Sequence, residues 1–591
     1  MHHRDFCNAR FRLLPLRSLP RVPRNPSRSA ARVFALTVGM AMTCLANAFG
    51  DVKVDRLFPP AITVGASTVV TSEGKFDAWP AQVWCDRDDV TVTAEKDSGK
   101  WNITIAADAV PGIAWLRFYD DTSASSLMPL LVESVPIVAE VEPNNDPEKA
   151  TRIDLPTACF GKLEKGGEVD CFIFSATAGQ TVVASVMANR LLSSPMDAVL
   201  QLVDRRGNVL AQNDDARGID PQIVFPVPKD GEYVLRLFAF PLVPNSTIGF
   251  AGGADFVYRI AVTAGPMLDY SLPLVEAATG HGEDDVPSLV GWNLPENVAL
   301  KKVPSTDVSP TLVLAAGAVG WSSRPVVSQL VNPEIIDLTR LATSSQTDEA
   351  TALQRLPALV SGQVERAGQV LKLRAAVPPG KKHRATIYSQ SSNLKLDSVI
   401  TVIDLESGKQ LARNDDASST VRDASIDFTA STKAEQATVE IQVSDLVGGF
   451  GSGRGFTMAI YQVEPSISIA VDAGEFKVAA GESLEIAVKI ARADGFDQPV
   501  SIQAVDLPSG VTATEVVSEP KGDSSKEVKL KFEAAKVDTV SMRHASIRIV
   551  AVSTMPTDAD KTELATASYQ SKPGFKSSKL WITLTDAKPA K

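Results

Sequence analysis

One short segment of the sequence gathers the oxygen-bearing side chains that hard cations prefer. The acids and amides within these seven residues are Glu140, Glu142, Asn144, Asn145 and Asp146. Calcium binds roughly six to eight oxygen ligands from carboxylates, amides and carbonyls. An extended backbone places Glu140 and Glu142 on the same side. The segment therefore predicts a calcium site.

Asp170 is the candidate that completes this shell. It begins the strand that follows the next predicted hairpin. The alternative interpretation is that the acids and amides only cap a boundary between two domains, as polar turn residues often do. If a cation does bind there, we expect its role to be structural, because it would stiffen the joint between the first two domains.

No catalytic motif accompanies this cluster. Behind the N-terminal leader, the histidines are His281, His383 and His544, and none neighbours another histidine. The sequence lacks the H-E-x-x-H, G-x-S-x-G and C-x-x-C patterns. We predict surface histidines and no catalytic residues, although counting residues leaves a serine–histidine–acid triad open. The acid pairs Asp214-Asp215 and Asp415-Asp416 each follow an asparagine directly after a strand, which is typical of turns.

The elements that position these residues belong to a duplication. The segment MDAVLQLVDRRGNVLAQNDD (196–215) recurs as LDSVITVIDLESGKQLARNDD (396–416). The identical positions include Asp197 and Asp397, Asp204 and Asp404, and both Asn-Asp-Asp turns. Self-similarity at a long offset indicates a modular array.

Short strands dominate the rest of the pattern. Runs rich in Val, Ile, Thr and Phe, such as LEIAVKI (484–490) and EVKLKFEA (527–534), alternate between apolar and polar residues and are separated by Gly, Asn, Asp and Pro. We predict an all-β protein of tandem β-sandwich modules of the jelly-roll or immunoglobulin-like kind. The predicted order is a signal peptide 1–48, an immunoglobulin-like module 49–138, a β-sandwich 139–266, a small immunoglobulin-like module 267–344, a degenerate second copy of the sandwich 345–465, and an immunoglobulin-like sandwich 466–591.

The first 48 residues predict export. A basic stretch precedes the apolar run VFALTVGMAMTCLA, which ends at the small-residue site Ala46-Asn47-Ala48. The alternative is a membrane anchor, for which the run is short. We expect a mature chain that starts near Phe49, has no transmembrane span, and resides in the periplasm, on the cell surface or outside the cell.

The charge of the mature chain argues against nucleic acid as a partner. Removing residues 1–48 takes away eight arginines and one aspartate, which leaves 51 basic residues against 69 acidic ones. Nucleic-acid binding needs a basic face that releases counterions. Only Cys85, Cys159 and Cys171 remain; Cys159 and Cys171 flank a predicted hairpin and could form a disulfide or remain two thiols in adjacent strands.

Several motifs in order resemble one bacterial family. The order runs from Glu140-Val141-Glu142-Pro143-Asn144-Asn145 through Asp170-Cys171-Phe172-Ile173-Phe174 and the Asn213-Asp214-Asp215 turn to Asp230-Gly231-Glu232-Tyr233. It is similar to the bacterial pre-peptidase C-terminal domain, a β-sandwich found beside catalytic domains in secreted proteases. The resemblance covers about 125 residues, and more loosely 345–465.

The resemblance implies a calcium site in the first copy only. Some members of the family bind calcium through this linker, which carries the ligand role over to Glu140, Glu142, Asn144, Asn145 and Asp170. The second copy lacks E-P-N-N and reads Val370-Leu371-Lys372-Leu373 where the first has its acid. We expect the fold to persist there without the cation.

Two functions follow from this interpretation. The first is an exported, non-catalytic binding or scaffold protein that presents loops to an extracellular protein or polysaccharide. The second is an accessory part, or an unrecognised member, of a secreted subtilisin-like protease system. The first is favoured because every segment is assigned to a β-module and none remains for a catalytic α/β domain.

Overall fold

The protein folds almost entirely into short β-strands. The computed structural model describes residues 52–243, 249–279, 286–341, 350–430, 437–536, 543–554, 562–572 and 575–587. The predicted signal peptide and its cleavage site lie outside these residues. The strand Glu527–Ala534 shows why the chain forms sheets, since every second side chain of EVKLKFEA is buried and the others are exposed. No helix among the described residues is long and apolar enough to cross a bilayer.

The first module is a sandwich of two four-stranded sheets. Its strands are β1 (Lys53–Phe58), β2 (Ala61–Thr63), β3 (Ser67–Lys75), β4 (Gln82–Cys85), β5 (Val90–Ala94), β6 (Lys100–Ile105), β7 (Gly112–Tyr119) and β8 (Met128–Glu133). The strand orders are β1-β3-β6-β5 and β2-β8-β7-β4. Trp101 and Phe118 fill the space between the sheets.

The second module, here called the first sandwich, pairs two five-stranded sheets. Its elements are β9 (Ile137–Ala139), β10 (Thr151–Arg152), β11 (Thr157–Lys162), β12 (Asp170–Ala176), β13 (Thr181–Met187), α1 (Asn189–Leu192), β14 (Met196–Asp204), β15 (Val209–Asn213), β16 (Gln222–Pro226), β17 (Gly231–Pro241) and β18 (Val257–Thr263). The strand orders are β10-β12-β17-β14-β15 and β16-β13-β18-β11-β9.

The middle module forms small sheets that lean on their neighbours. Its strands are β19 (Met267–Leu272), β20 (Glu276–Thr279), β21 (Ser288–Trp292), β22 (Leu300–Val303), β23 (Thr311–Ala315), β24 (Ser322–Arg324) and β25 (Val326–Val331). The sheets are β19-β21, β20-β25 and β22-β23-β24. Met267 and Val319 pack on the first sandwich, while Val275 and Leu330 pack on the next one. The middle module therefore packs between the two sandwiches and contacts both of them.

The fourth module, here called the second sandwich, again pairs two five-stranded sheets. Its elements are β26 (Glu334–Asp337), α2 (Leu338–Leu341), β27 (Thr351–Ala352), β28 (Ala358–Gln363), β29 (Leu371–Val377), β30 (Lys382–Tyr388), β31 (Ser398–Asp404), β32 (Gln410–Asn414), β33 (Ser425–Thr429), β34 (Ala437–Asp445) and β35 (Gly455–Gln462). The strand orders are β27-β29-β34-β31-β32 and β26-β28-β35-β30-β33. Because β26 pairs with β28, the sandwich begins upstream of the predicted boundary at 345.

The two sandwiches have the same strand order, position for position. Each also has a short helical turn before its long hairpin, α1 in the first sandwich and a 3-10 turn Gln390–Ser392 in the second, and one aspartate caps each turn. Asp220 accepts the backbone N–H of Asn189 at 2.9 Å, and Asp423 accepts that of Gln390 at 2.8 Å. The structure therefore carries the duplication that the repeated segments indicate.

The last module is a further sandwich. Its strands are β36 (Ser466–Ala470), β37 (Glu475–Ala479), β38 (Ser483–Ala493), β39 (Val500–Val505), β40 (Val511–Ala513), β41 (Val516–Ser518), β42 (Glu527–Ala534), β43 (His544–Ser553), β44 (Glu563–Thr566), β45 (Tyr569–Lys572), β46 (Phe575–Ser577) and β47 (Leu580–Thr585). The sheets run β36-β38-β42-β40 and β37-β47-β43-β39-β41, with β44 beside β43 and a β45-β46 hairpin.

The last module packs against the first. The guanidinium of Arg117 is fully buried, and its Nη1 lies 2.9 Å from Glu475 Oε1. Its Nη2 donates to Tyr569 Oη at 2.9 Å, and its charge lies 5.5 Å from the ring centre of Trp581. These contacts join residues that are hundreds of positions apart.

The predicted hairpin between Cys159 and Cys171 is wrong. β11 and β12 lie in different sheets, so the connection between them crosses the sandwich. Cys159 faces the core and Cys171 the outer layer of its sheet, and both are buried free thiols. No disulfide joins them because alternation directs the two side chains to different layers.

Candidate metal centre

Three of the predicted ligands converge at one edge of the first sandwich. Glu140 and Glu142 follow β9, and Asp170 begins β12. One carboxylate oxygen from each residue can be chosen so that the three oxygens lie within 4.8 Å of one another. Asp170 is fully buried, Glu140 half-buried and Glu142 exposed, so the group opens to solvent on one side.

A tyrosine hydroxyl lies between two of these carboxylates. Tyr258 Oη, on β18, is 2.8 Å from Glu140 Oε2 and 2.6 Å from Asp170 Oδ2. A phenol carries one proton and donates to only one acceptor at a time. The second close contact is favoured either by a proton on one of the two carboxyl groups, which can donate to the phenol oxygen, or by a bound cation that offsets the negative charge.

The surroundings raise the pKa of Asp170 to about 10. Burial is the largest cause, and the negative charge of Glu140 adds to it. Burial, followed by the charges of Glu140 and Glu168, also raises the pKa of Glu142. Lys162 lies beside Glu140 through its backbone N–H, but its ammonium points to Glu73 at 3.9 Å rather than to the three carboxylates.

Part of the pocket is already hydrogen-bonded. Glu140 Oε1 accepts the backbone N–H of Lys162 at 2.7 Å, and Glu142 Oε2 accepts that of Asn144 at 3.3 Å. Asp170 Oδ1, by contrast, has no hydrogen-bond partner within the described ranges. Unsatisfied buried carboxylate oxygens are costly unless a ligand completes them.

The two predicted asparagines differ in their environments. Asn144 is fully buried, and neither its Oδ1 nor its Nδ2 finds a partner in the part of the chain that the structure describes. Its backbone carbonyl accepts the N–H of Cys171, next to Asp170. Asn145 Oδ1 instead accepts the N–H of Val169 at 3.2 Å. Asn144 therefore has a free amide oxygen, whereas Asn145 ties the linker to β12.

Sequence reasoning missed three residues of this pocket. Tyr258 is one of them, and Glu168 is another: it is buried, and its charge raises the pKa of Asp170. Gly161 is the third, because a β-carbon there would lie 2.3 Å from Glu140 Oε2 and 2.4 Å from Tyr258 Oη. Gly161 and Tyr258 are paired across β11 and β18. The alternation of side chains along these two strands was the sequence signal that could have placed both residues in the pocket.

The second sandwich replaces the pocket with apolar side chains. Gly362 pairs with Phe456 as Gly161 pairs with Tyr258. A β-carbon on Gly362 would meet Phe456 and Leu338, so Leu338 takes the position of Glu140. The strand register places Leu371 where the first sandwich has Asp170. At these three described positions, the carboxylates of Glu140 and Asp170 and the phenol of Tyr258 are all replaced by apolar side chains.

The other candidate residues show ordinary structural roles. His383 is buried and stacks on Phe428 at 5.6 Å, and His544 lies 4.6 Å from the ring of Tyr119. The prediction of surface histidines is therefore wrong for His383, which is buried, whereas His544 is half-buried against an aromatic ring. His281 lies outside the described residues. In the first Asn-Asp-Asp turn, Asn213 Oδ1 accepts the N–H of Gln222 at 3.0 Å.

The family comparison matches the sandwich that holds this pocket. The profile of the bacterial pre-peptidase C-terminal domain covers residues 168–239, which include Asp170. The first sandwich therefore carries a pre-peptidase C-terminal domain, as the sequence resemblance indicated. The second sandwich repeats its strand order.

Relatives cover only parts of the chain. A probable subtilase-type serine protease from Deinococcus radiodurans is 36% identical over 103 residues, which is 16% of this chain and 14% of the protease. The pre-peptidase C-terminal domain of a Bacillus anthracis collagenase is 23% identical, with 20% of this chain covering 100% of that domain at a TM-score of 0.16. A Bacteroides ovatus protein of a mixed-linkage glucan utilization locus, solved with a heptasaccharide, is 8% identical over 66% of this chain and 73% of its own, with a TM-score of 0.13. None of these likenesses shows what the whole chain does.

Proposed function

We propose that the chain is an exported, non-catalytic scaffold protein whose first sandwich binds a structural calcium ion. The observation that carries the calcium proposal is the convergence of Glu140, Glu142 and Asp170 within 4.8 Å. The array of β-modules around a pre-peptidase C-terminal domain supports the scaffold role. Its partner would be an extracellular protein or polysaccharide that the exposed loops contact.

The donor set favours calcium over smaller cations. Carboxylates and an amide oxygen are hard ligands, and calcium accepts roughly six to eight of them in irregular geometry. Magnesium requires a strict octahedron, which an exposed glutamate in a linker does not supply. Asp170 Oδ1 and Asn144 Oδ1 are the unpartnered oxygens, within the described ranges, that would join Glu140 and Glu142 in the shell.

Calcium would join three parts of the fold. Glu140 follows β9 at the edge of one sheet, Asp170 begins β12 in the other sheet, and Glu142 lies in the linker between β9 and β10. An ion held by all three would clamp the two sheets at the end that faces the first module. Its role there is mechanical rather than catalytic.

Thermal melts of the mature chain test the calcium site. A ligand that binds only the folded state at about 100 times its Kd adds roughly 2.7 kcal/mol of stability. We expect the transition of the first sandwich to rise in calcium relative to chelator. The double change Glu142→Gln with Asp170→Asn should remove the gain. The control Asp214→Asn with Asp215→Asn, at an exposed turn of the same sandwich, should keep it. Coincident wild-type curves with and without calcium would show that no site exists.

A second candidate function is a role beside a secreted protease. The 103-residue match to a subtilase-type protease favours it. Incubation of the mature protein with casein and a general serine-protease probe separates the two proposals. We expect neither cleavage nor labelling. Activity that disappears on replacing a single serine would establish the protease alternative.

A further inference from the structure

A cavity of about 1120 Å³ lies where the modules meet. Its floor is the outer face of β13 and β18 in the first sandwich. The middle module contributes β19 and the segment 305–310, and the last module contributes its β45-β46 hairpin. Residues 391–393 of the second sandwich and Ile113 of the first module complete the wall. The cavity is thus a feature of the assembled chain rather than of any single module.

Three arginines of the first sandwich line this cavity. Arg190 lies on α1, Arg217 between β15 and β16, and Arg259 on β18. Arg217 is 9% exposed and Arg259 is 4% exposed. Buried guanidinium groups are costly unless they are paired and fully hydrogen-bonded.

The acidic partners of these arginines leave donors unused. Arg259 Nη2 lies 2.6 Å from Glu133 Oε2, yet its Nε has no partner within the described ranges. Arg217 Nε lies 3.6 Å from Asp269 Oδ1, and its Nη1 is likewise without a partner there. These unused donors have almost no accessible surface of their own, so they leave positive charge uncompensated just behind the wall of the cavity.

The third arginine is also incompletely neutralised. Arg190 Nε is 3.2 Å from Asp220 Oδ2, but Asp220 already accepts the backbone N–H groups that cap α1. Burial lowers the pKa of Arg190, the charges of Asp220 and Asp269 raise it again in part, and the charges of Arg217 and Arg259 lower it. The three cations therefore repel one another across the cavity floor.

The residues that line the cavity directly are more basic than the chain as a whole, while Glu133 and Asp220 pair with Arg259 and Arg190 from behind the wall. The charged residues lining the cavity are four basic and two acidic ones: Arg190, Arg217, Arg259 and Lys576, against Asp269 and Asp307. The whole chain has 59 basic and 70 acidic residues. The excess of basic residues among those that line the cavity favours a ligand of negative charge.

Aromatic side chains complete the wall. Tyr270, Trp321 and Phe575 line the cavity, and the Arg217 guanidinium lies 5.6 Å from the ring centre of Tyr270. Pockets that combine apolar walls with a few convergent polar groups bind small molecules, typically in volumes of about 300–1,000 Å³. The arrangement fits an anionic head group that carries an aromatic or apolar body.

We propose that this cavity binds a small organic anion through a carboxylate or phosphate group held by Arg217 and Arg259. A guanidinium fork matches two oxygens of either group and gives short, charge-assisted hydrogen bonds. The bound anion would place negative charge beside guanidinium groups whose donors the protein leaves partly unused, and it would offset the repulsion among the three arginines. The body of the ligand would contact Tyr270 and Trp321.

Calorimetric titration of the mature chain tests this proposal. Phenylacetate, phenyl phosphate and inorganic phosphate are titrated at one ionic strength. Comparing the two phenyl ligands distinguishes a carboxylate from a phosphate, and comparing the two phosphates gives the contribution of the ring. We expect saturable binding of at least one phenyl ligand, and an affinity at least tenfold weaker in Arg217→Gln. Arg152→Gln, at a mostly exposed arginine of the same sandwich, should bind like the wild type. No saturable binding of any of the three, or equal affinity in Arg217→Gln, would overturn the proposal.

A second variant covers the case in which Arg217→Gln does not fold. Leu242 is exposed and lines the cavity, so Leu242→Trp should narrow the opening without disturbing a core. We expect it to weaken the phenyl ligands at least tenfold. Unchanged binding of those ligands in Leu242→Trp would place them elsewhere on the molecule and would refute the assignment.

Discussion

Replacing Asp170 by asparagine tests how much its raised pKa contributes to the pH dependence of the unfolding free energy. Asp170 is fully buried, and burial together with the charge of Glu140 raises its pKa to about 10. In an unfolded chain an aspartate ionises near a pH of about 3.9. Without calcium, the folded protein therefore keeps a proton that the unfolded chain releases.

The sign and size of the effect follow from this difference. Between roughly pH 4 and pH 10 the folded state binds more protons than the unfolded state, so stability falls as pH rises. One group contributes at most about 1.4 kcal/mol per pH unit, or about 2.7 kcal/mol between pH 5 and pH 7. A side-chain amide does not ionise in this range, so the Asp170→Asn variant should lose this slope. Bound calcium should remove it from the wild type as well, because the ion favours the ionised carboxylate.

The assay is urea unfolding from pH 5 to pH 8, in chelator and in calcium. In chelator, the wild type should lose stability relative to Asp170→Asn as pH rises, whereas in calcium that relative decline should disappear. Asp214→Asn, at an exposed turn, serves as the control and should follow the wild type throughout. Parallel curves for the wild type and Asp170→Asn in chelator would refute the reasoning.

Three further changes give distinct outcomes. Gly161→Ala should abolish the calcium-dependent gain in melting temperature, because its β-carbon would displace the carboxylate of Glu140; an unchanged gain would contradict the packing of the pocket. Arg117→Met should lower the unfolding free energy by about 3–5 kcal/mol in urea, since it leaves Glu475 partly buried without its counter-charge; a loss below about 1 kcal/mol would show that the pair is replaceable. Burial lowers the pKa of His544, so its contribution to stability is present above about pH 6.5 and is lost as pH falls. His544→Gln should therefore lose less unfolding free energy than the wild type as pH falls below about 6.5. An equal loss in both proteins would show that other groups cause the decline.

The sequence predicted the architecture well because its signals are local or repeated. Alternating apolar positions, turn residues and the duplicated segment at 196–215 and 396–416 are all visible in one dimension. They led to an all-β array and to two sandwiches, and the common strand order of these sandwiches agrees with that. The hairpin around Cys159 and Cys171 was wrong because sequence proximity does not say whether two strands share a sheet.

The pocket could be predicted only in part. Glu140 and Glu142 are neighbours in sequence, and their family pattern pointed to Asp170. Tyr258 and Gly161 were missed because they meet the acids only across the register of β11 and β18. Calcium binding itself stays a prediction that the melts must decide.

The contacts between modules could not be predicted from the sequence. The contact of Arg117 with the backbone of Gly474 spans 357 positions, and its contact with Tyr569 spans 452. A single arginine in an otherwise apolar strand gives no indication of its distant partner. The cavity with the three arginines depends on the same long-range packing.

The contact between the first and last modules also sets an order of assembly. Tyr569 follows Arg117 by 452 positions, so the face of the first module around Arg117 and Trp84 is covered only once the last module has been made and has docked. Docking of the last module on the first would then complete the fold. The entropic cost of this docking grows only slowly with the number of residues between the two modules. A chain that stops before the last module leaves an aromatic face with an uncompensated arginine open to its surroundings. Such fragments should aggregate and be cleaved by proteases more readily than the full chain. The contact between the first and last modules therefore distinguishes complete chains from truncated ones.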